Sequence, residues 1–330
     1  MHTVRLAMSD CSFEARPGET VLIAALRAGV GLQHECSTGT CGACRVKLLS
    51  GAVEQLWPDC PTWTETDKLR GRILACQSVA TSDCVIGGTD QPSYRPDIGV
   101  ESRAGQIGSI EWLTHDMARV VVRTTEPAAF LPGQFAVLAR TDGARRAYSM
   151  MNMPNDEGVW AFAVKVRPSG NVSRWLTSDK AIGQQVQIDG PLGSAWFSPS
   201  EKDVICVAGG SGIGPMLSIA KGFAADPARG RLQFLVGART AKDLADGKLI
   251  ETIRAIDTRI SVLASLSDAT SHPGDFVQGP IHLRLAEAVG SNVAAHDIYL
   301  AGPSAMIDAT LMTLAHLDCP SENIRFDRFY

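Results

Sequence analysis

The chain has 330 residues, with 31 Lys+Arg against 35 Asp+Glu, a formal net charge of −4, 45% hydrophobic residues and 20% charged ones. The charge excludes general nucleic-acid affinity, the composition is that of a globular protein, and the length exceeds one ordinary core, so two or three domains are expected. No apolar run approaches the roughly 20 residues that a membrane helix needs.

The first stretch, MHTVRLAMSDCSFEARPGET, alternates like a strand and lacks the apolar core of a secretion signal, so a cytoplasmic setting is expected. In that reducing compartment the nine cysteines read as thiols or metal ligands, not disulfides. VRLAM and CSFEA suggest a hairpin pair. TVLIAALRAGV, at 20–30, has helical apolar spacing, and RVKLLSGAVE reads as strand, glycine turn and strand. Residues 1–90 therefore read as one small β-rich unit. GGTDQPSYRPD, at 87–97, has no apolar period and reads as a linker, which we place at 91–100.

Between 101 and 198 the texture changes to short alternating strands such as ARVVVRT, QFAVLA and VWAFAVKV, which suggest an antiparallel barrel or sandwich. SRWLTSD, at 173–179, reads as a short helix within it. From 199 to 330 strands alternate with helices: DVICVAGG, PMLSIAKGFAAD, RLQFLVGAR, KLIETIRAI, ISVLASLS, IYLAGP and SAMIDATLMTLAHL. That alternation argues for a parallel sheet covered by helices.

Residues 34–44, HECSTGTCGAC, hold three thiols in the spacing C-x4-C-x2-C: Cys36, Cys41 and Cys44. Cys76 in RILACQS lies downstream. This is the plant-type [2Fe–2S] spacing, in which four thiolates hold two irons. A loop that curls round a cluster passes close to sulfide, and Gly39 and Gly42 have no Cβ to obstruct it. Its N–H groups can then point at the sulfurs. A structural zinc site, which more often shows two C-x2-C pairs, is the alternative. Cys11, Cys60, Cys84, Cys206 and Cys319 are scattered and read as structural.

On these thiols, residues 1–90 resemble a plant-type ferredoxin domain. Two further motifs, RRAYSMMN at 145–152 and CVAGGSGIGPMLSIA at 206–220, extend the resemblance over nearly the whole chain. It is similar to the reductase component of bacterial aromatic-ring oxygenase systems, the naphthalene-dioxygenase reductases being the nearer group and the benzoate-type reductases the next. The resemblance implies three domains in order: a β-grasp ferredoxin domain (α+β), an antiparallel β-barrel flavin domain and an α/β parallel-sheet nicotinamide domain.

It also implies cofactors and the residues that meet them. FAD falls to Arg146, Ala147, Tyr148 and Ser149 of an R-x-Y-S motif, and to Val164, Lys165, Gly170, Val172 and Ser173 of VKVRPSGNVS. Arginine's fork of donors suits a pyrophosphate, Tyr148 can lie against the flavin ring, and a helix start after Gly170 attracts phosphate. Taken alone, Tyr148 reads equally as a core-facing strand residue and Arg146 as a solvated charge. DGPLGSAWF, at 189–197, resembles the family's turn closing the flavin domain, or is a plain turn.

For the nicotinamide nucleotide, Gly209, Gly210, Ser211, Gly212 and Gly214 let backbone amides approach a pyrophosphate, and Pro215 suits a first helical position. Arg239 either meets the ribose phosphate of NADPH or stacks on adenine; the family resemblance favours NADH. YLAGPSAM, at 299–306, resembles the family's C-G-P-x-x-M loop through Gly302, Pro303 and Met306, with Ala301 where the cysteine usually stands. In FDRFY, Phe329 or Tyr330 covers the flavin face, or the segment anchors in the core.

The expected function is an NAD(P)H-dependent FAD/[2Fe–2S] reductase that feeds a ring-hydroxylating oxygenase or its ferredoxin, with no catalytic acid or base because the cofactors carry the chemistry. The same three modules would also serve a di-iron monooxygenase or a deoxysugar dehydratase. A different class is a cofactor-binding electron-transfer or redox-sensing subunit that does not itself oxidise NADH.

Overall fold

A computed structural model describes residues 1–268, 276–289 and 292–330. The hairpin expected at the start forms: β1 (His2–Leu6) pairs antiparallel with β2 (Ser12–Ala15). Helix α1 (Val21–Arg27) starts at Thr20, whose side chain accepts a hydrogen bond from Ile23 N at 3.3 Å. Every residue from Val21 to Leu26 is buried, so the helix is held by packing. Strands β3 (Arg45–Ser50) and β4 (Val53–Gln55) flank Gly51 as expected but join different sheets. Helix α2 (Glu65–Leu69), set by a Thr64/Asp67 capping box, was not expected. Strands β5 (Arg72–Leu74), β6 (Ser78–Ala80) and β7 (Cys84–Ile86) complete the unit. The main sheet runs β2-β1-β7-β3-β5, with β4 and β6 paired apart.

The stretch read as a linker is fastened down. Asp90 accepts hydrogen bonds from Gly31 N at 2.8 Å and Arg95 Nε at 3.1 Å, and Gln91 N donates to Gly31 O at 2.9 Å.

The second unit is all antiparallel: β8 (Glu101–Trp112), β9 (Met117–Arg123), β10 (Phe135–Ala139), β11 (Arg145–Ser149), β12 (Val159–Lys165) and β13 (Gln185–Leu192). Their order is β11-β10-β13-β8-β9-β12, and a bridge between Met150 and Phe162 brings the two ends together in a barrel. Helix α3 (Asn171–Leu176) lies within this unit.

The third unit holds β14 (Asp203–Gly209), α4 (Ile213–Ala225), β15 (Leu232–Ala238), α5 (Lys248–Arg254), β16 (Ile260–Leu266), β17 (Val277–Gln278), α6 (His282–Val289), β18 (His296–Pro303), α7 (Ser304–His316) and β19 (Ile324–Phe329). Its sheet is wholly parallel, in the order β17-β16-β15-β14-β18-β19. Central β14 is apolar on both faces because helices cover both.

Alternation along β12 joins two units. Trp160, Phe162 and Val164 fill the barrel, while Ala161 and Ala163 pack with Ile213, Met216 and Leu217 of α4. On another face, Phe135, Val137 and Leu192 of the barrel join the core of the first unit. The barrel is thus the middle piece, in contact with both neighbours. Among the described residues, no helix is long and apolar enough to cross a membrane.

Candidate functional site

The loop after α1 is shaped by residues in the left-handed region: Ser37 at φ 55°, Gly39 at 86° and Gly42 at 77°. A Cβ on Gly39 would meet Cys60 Sγ and Gln77 Cγ, both at 3.0 Å. The curl brings Cys36 beside Cys41 and turns Cys44 toward Cys76, whose Sγ atoms lie 3.1 Å apart. Cys76 follows β5 and is registered by Ala75 N donating to Cys44 O at 3.0 Å. Loop amides do point at sulfur, with Ala43 N donating to Cys41 Sγ at 3.4 Å.

The thiols fall into two hydrogen-bonded pairs, Cys36 with Cys41 and Cys44 with Cys76. The hydrogen bond from Cys41 holds Cys36 down to about 4, and that from Cys76 lowers Cys44. Cys41 and Cys76 are correspondingly pushed up, first by those same bonds and then by burial. Four converging thiols, with Cys36 and Cys44 both lowered and a loop amide donating to Cys41 Sγ, fit a [2Fe–2S] cluster. The other cysteines behave as structural groups. Cys60 Sγ donates to Gly39 O at 3.0 Å, and burial raises the thiol of fully enclosed Cys206.

A cleft of 1310 Å³ opens between the three units. Cys36 lines it together with Arg146, Ala147, Tyr148, Ser149, Lys165, Gly170, Val172, Ser173, Gly209, Gly210, Ser211, Arg239, Pro303, Met306 and Phe329. Strand alternation explains the flavin-motif wall. Arg145 turns inward to the buried carboxylate of Asp189 at 3.3 Å, so Arg146 turns outward. Its guanidinium lies 4.9 Å from the ring centroid of Trp57, a residue of the first unit. Burial raises the Tyr148 phenol, keeping it neutral against the cleft. Long charged side chains and a broad apolar wall suit a dinucleotide with an aromatic ring system.

Six expected positions stand behind the wall. Val164 is fully buried in the barrel core. An added Cβ on Gly212 would come 2.0 Å from Ala301 O, and one on Gly214 would come 2.8 Å from Ala163 Cβ, so these glycines allow backbone and barrel to pack against α4. Pro215 is buried inside α4, and Ala301 is fully buried in β18. Gly302, at φ 152°, lets the chain pass beside Gly209, whose N lies 3.1 Å from its would-be Cβ. The glycine loop therefore meets the cleft through Gly209, Gly210, Ser211 and Ile213, with Gly212 and Gly214 behind them.

Lys165 lines the cleft as expected, and three carboxylates that also line it, Asp116, Asp243 and Asp327, escaped the motif reading. Lys165 Nζ sits between Asp116 Oδ2 at 2.9 Å and Asp243 Oδ1 at 3.6 Å, joining the barrel to the parallel-sheet unit. Asp243 also lies 3.8 Å from Arg239 and accepts from Thr240 N at 2.9 Å. Asp327, on β19, is pushed up to about 7, first by burial and then by the charge of Glu35. These acids carry no local motif, and only the turn signal T-x-x-D at Thr240 marks one of them.

Three family models match in chain order: a 2Fe-2S iron-sulfur cluster binding domain over residues 4–81, an oxidoreductase FAD-binding domain over 104–197 and an oxidoreductase NAD-binding domain over 206–311. The chain is 35% identical to the ferredoxin–NAD(P)+ reductase CarAd of Metapseudomonas resinovorans, over 95% of each chain. It is 34% identical to the ferredoxin–NAD+ reductase component of an alkene monooxygenase system from Xanthobacter autotrophicus, over 96% of this chain and 98% of that one. Among solved structures, a ferredoxin reductase in carbazole 1,9a-dioxygenase superposes with a TM-score of 0.91 at 32% identity, over 100% of this chain and 98% of that one.

Proposed function

The chain belongs to the ferredoxin–NAD(P)+ reductases of oxygenase systems, and on that premise we propose how its residues divide the work. When bound, NAD(P)H supplies a hydride, FAD accepts the electron pair and releases single electrons, and the [2Fe–2S] cluster carries them one at a time. Within that scheme Cys36, Cys41, Cys44 and Cys76 hold the iron. Arg146 and the Gly170–Ser173 segment hold the FAD phosphates; Tyr148, Ser149 and Phe329 orient its ring. Backbone amides of Gly209, Gly210 and Ser211 hold the nucleotide pyrophosphate. Gly214 serves by packing α4 close to the barrel at Ala163, and Gly212 by letting the loop pass the backbone of Ala301 in β18, which sets the distance between the two nucleotide sites.

The nucleotide we favour is NADH. The Arg239 cation already faces Asp243 at 3.8 Å, and that carboxylate would repel a ribose phosphate. The acceptor we favour is a ring-hydroxylating oxygenase or its ferredoxin, the setting of the carbazole dioxygenase relative. The cytoplasm suits this work, because its reducing medium keeps the five thiols outside the cluster, Cys11, Cys60, Cys84, Cys206 and Cys319, reduced.

The observation that carries the reading is that Cys36 shares one cleft with Arg146, Tyr148 and Ser211, so the nucleotide, flavin and cluster sites meet in one space. The test is a count on purified protein. Iron and sulfide in equal amounts, with one FAD for each cluster and a visible spectrum that NADH bleaches, is expected. Flavin without iron after anaerobic reconstitution would refute the cysteine assignment.

A further inference from the structure

The cysteine loop has two flanks. Glu35, Cys36, Thr38 and Thr40 face the cleft, where electrons arrive. The Cys41–Arg45 flank does not line it. On that second flank the Arg45 guanidinium lies over Gly42, where an added Cβ would come within 3.1 Å of Nη2. Arg45 is the first of a group of cations. Arg45 and Arg72 both pair with buried Asp67, at 3.1 and 3.5 Å. Lys47 lies opposite Arg72 across the β3–β5 ladder. Lys68 and Arg70 stand at the end of α2, and Gly71 beside them is bonded to Leu48 of β3.

Residues 1–90 contain eight Lys+Arg, and five of them are gathered here. Two carboxylates, Asp67 and Glu65, are paired with them, which leaves a local net charge of +3 on a chain whose total is −4. Leu69, between Lys68 and Arg70, is 88% exposed, and Leu49 shares the Arg45–Lys47 face of β3 with 49% exposed. Apolar side chains within a charged rim are the anatomy of a transient protein contact, and single-signed charge steers a partner of the opposite sign.

We propose that the protein receiving electrons docks on this basic rim with Leu69 within the contact, and that it carries acidic residues around its own redox centre. This rests on the electron-transfer function given above. Each encounter passes one electron and no proton: the acceptor's ferric iron becomes ferrous, and the electron is one of the two that NADH has supplied.

The test uses the full holoprotein and two haem proteins of opposite charge, acidic cytochrome b5 and basic cytochrome c. The variant is Lys47→Glu with Arg70→Glu; neither side chain makes a hydrogen bond or ion pair among the described residues, so the fold is kept. Calorimetry should show cytochrome b5 binding weakened ~10-fold by the double reversal, with raised potassium chloride acting in the same direction on the native protein. Reduction of cytochrome b5 should fall in parallel, that of cytochrome c should hold or rise, and dichlorophenolindophenol reduction should be unchanged. Charge-insensitive binding of cytochrome b5 overturns the proposal, as does an equal loss for both cytochromes. Sedimentation with phosphatidylserine vesicles in place of cytochrome b5 binding assigns the rim to a membrane surface and also overturns it. A native protein that reduces the dye and neither cytochrome overturns the electron-exit reading beneath it.

Discussion

Tyr330 donates its hydroxyl to Glu35 Oε1 at 2.9 Å, tying the strand that carries Phe329 to the residue beside Cys36. Arg328 on the same strand lies 3.7 Å from Glu35 and pairs with Asp308 at 3.0 Å. The parallel-sheet unit thereby grips the cysteine loop directly, across the mouth of the cleft. Tyr330→Phe removes one hydrogen bond, worth about 1 kcal/mol. The ratio of cytochrome c to dichlorophenolindophenol reduction should fall, by up to about fivefold. An unchanged ratio would mean the tie has no part in loop placement.

Asp327 supplies a pH signature. Its carboxyl is raised to about 7 by burial, against about 4 in an unfolded chain. The stabilising difference is therefore full below about pH 4 and is lost as pH rises through 7. Asp327→Asn should melt higher than the native protein at pH 8, with the gap closing by pH 4, in thermal scans of FAD-free protein. A gap that persists or widens toward pH 4 contradicts the raised carboxyl.

Gly212 tests whether the glycine loop serves packing. An alanine there would place a carbon 2.0 Å from the backbone oxygen of Ala301, which has no room to withdraw within β18. Gly212→Ala should cost about 1–3 kcal/mol, read as an earlier urea transition with a weakened NADH KM. Loss of NADH affinity at full stability would instead place Gly212 at the nucleotide.

Much of this arrangement was legible in the sequence because its signals are local. Three ligands fall within nine residues, from Cys36 to Cys44, and the strand–glycine–helix run at 203–225 is continuous. Glycine spacing reads the same whether the missing side chain makes room for a ligand or for a neighbouring backbone, which is why Gly212, Gly214 and Gly302 were expected at the cleft. β3 and β4 flank a glycine turn like a hairpin, yet sheet membership is decided by partners elsewhere in the chain. Contacts such as Trp57 on Arg146 and Tyr330 on Glu35, the latter 295 residues apart, leave no periodic trace. Helix α2 was signalled by T-x-x-D, but its five residues are too few to show an apolar period.

The most direct measurement of the route is Cys41→Ser, assayed side by side with two acceptors. Losing one sulfur ligand of the half-buried Cys36–Cys41 pair should abolish the iron–sulfur spectrum and cytochrome c reduction, while NADH-driven dichlorophenolindophenol reduction and FAD content stay near native. If dye reduction vanishes with flavin still bound, or cytochrome c reduction survives without iron, the path from nucleotide to flavin to cluster is contradicted.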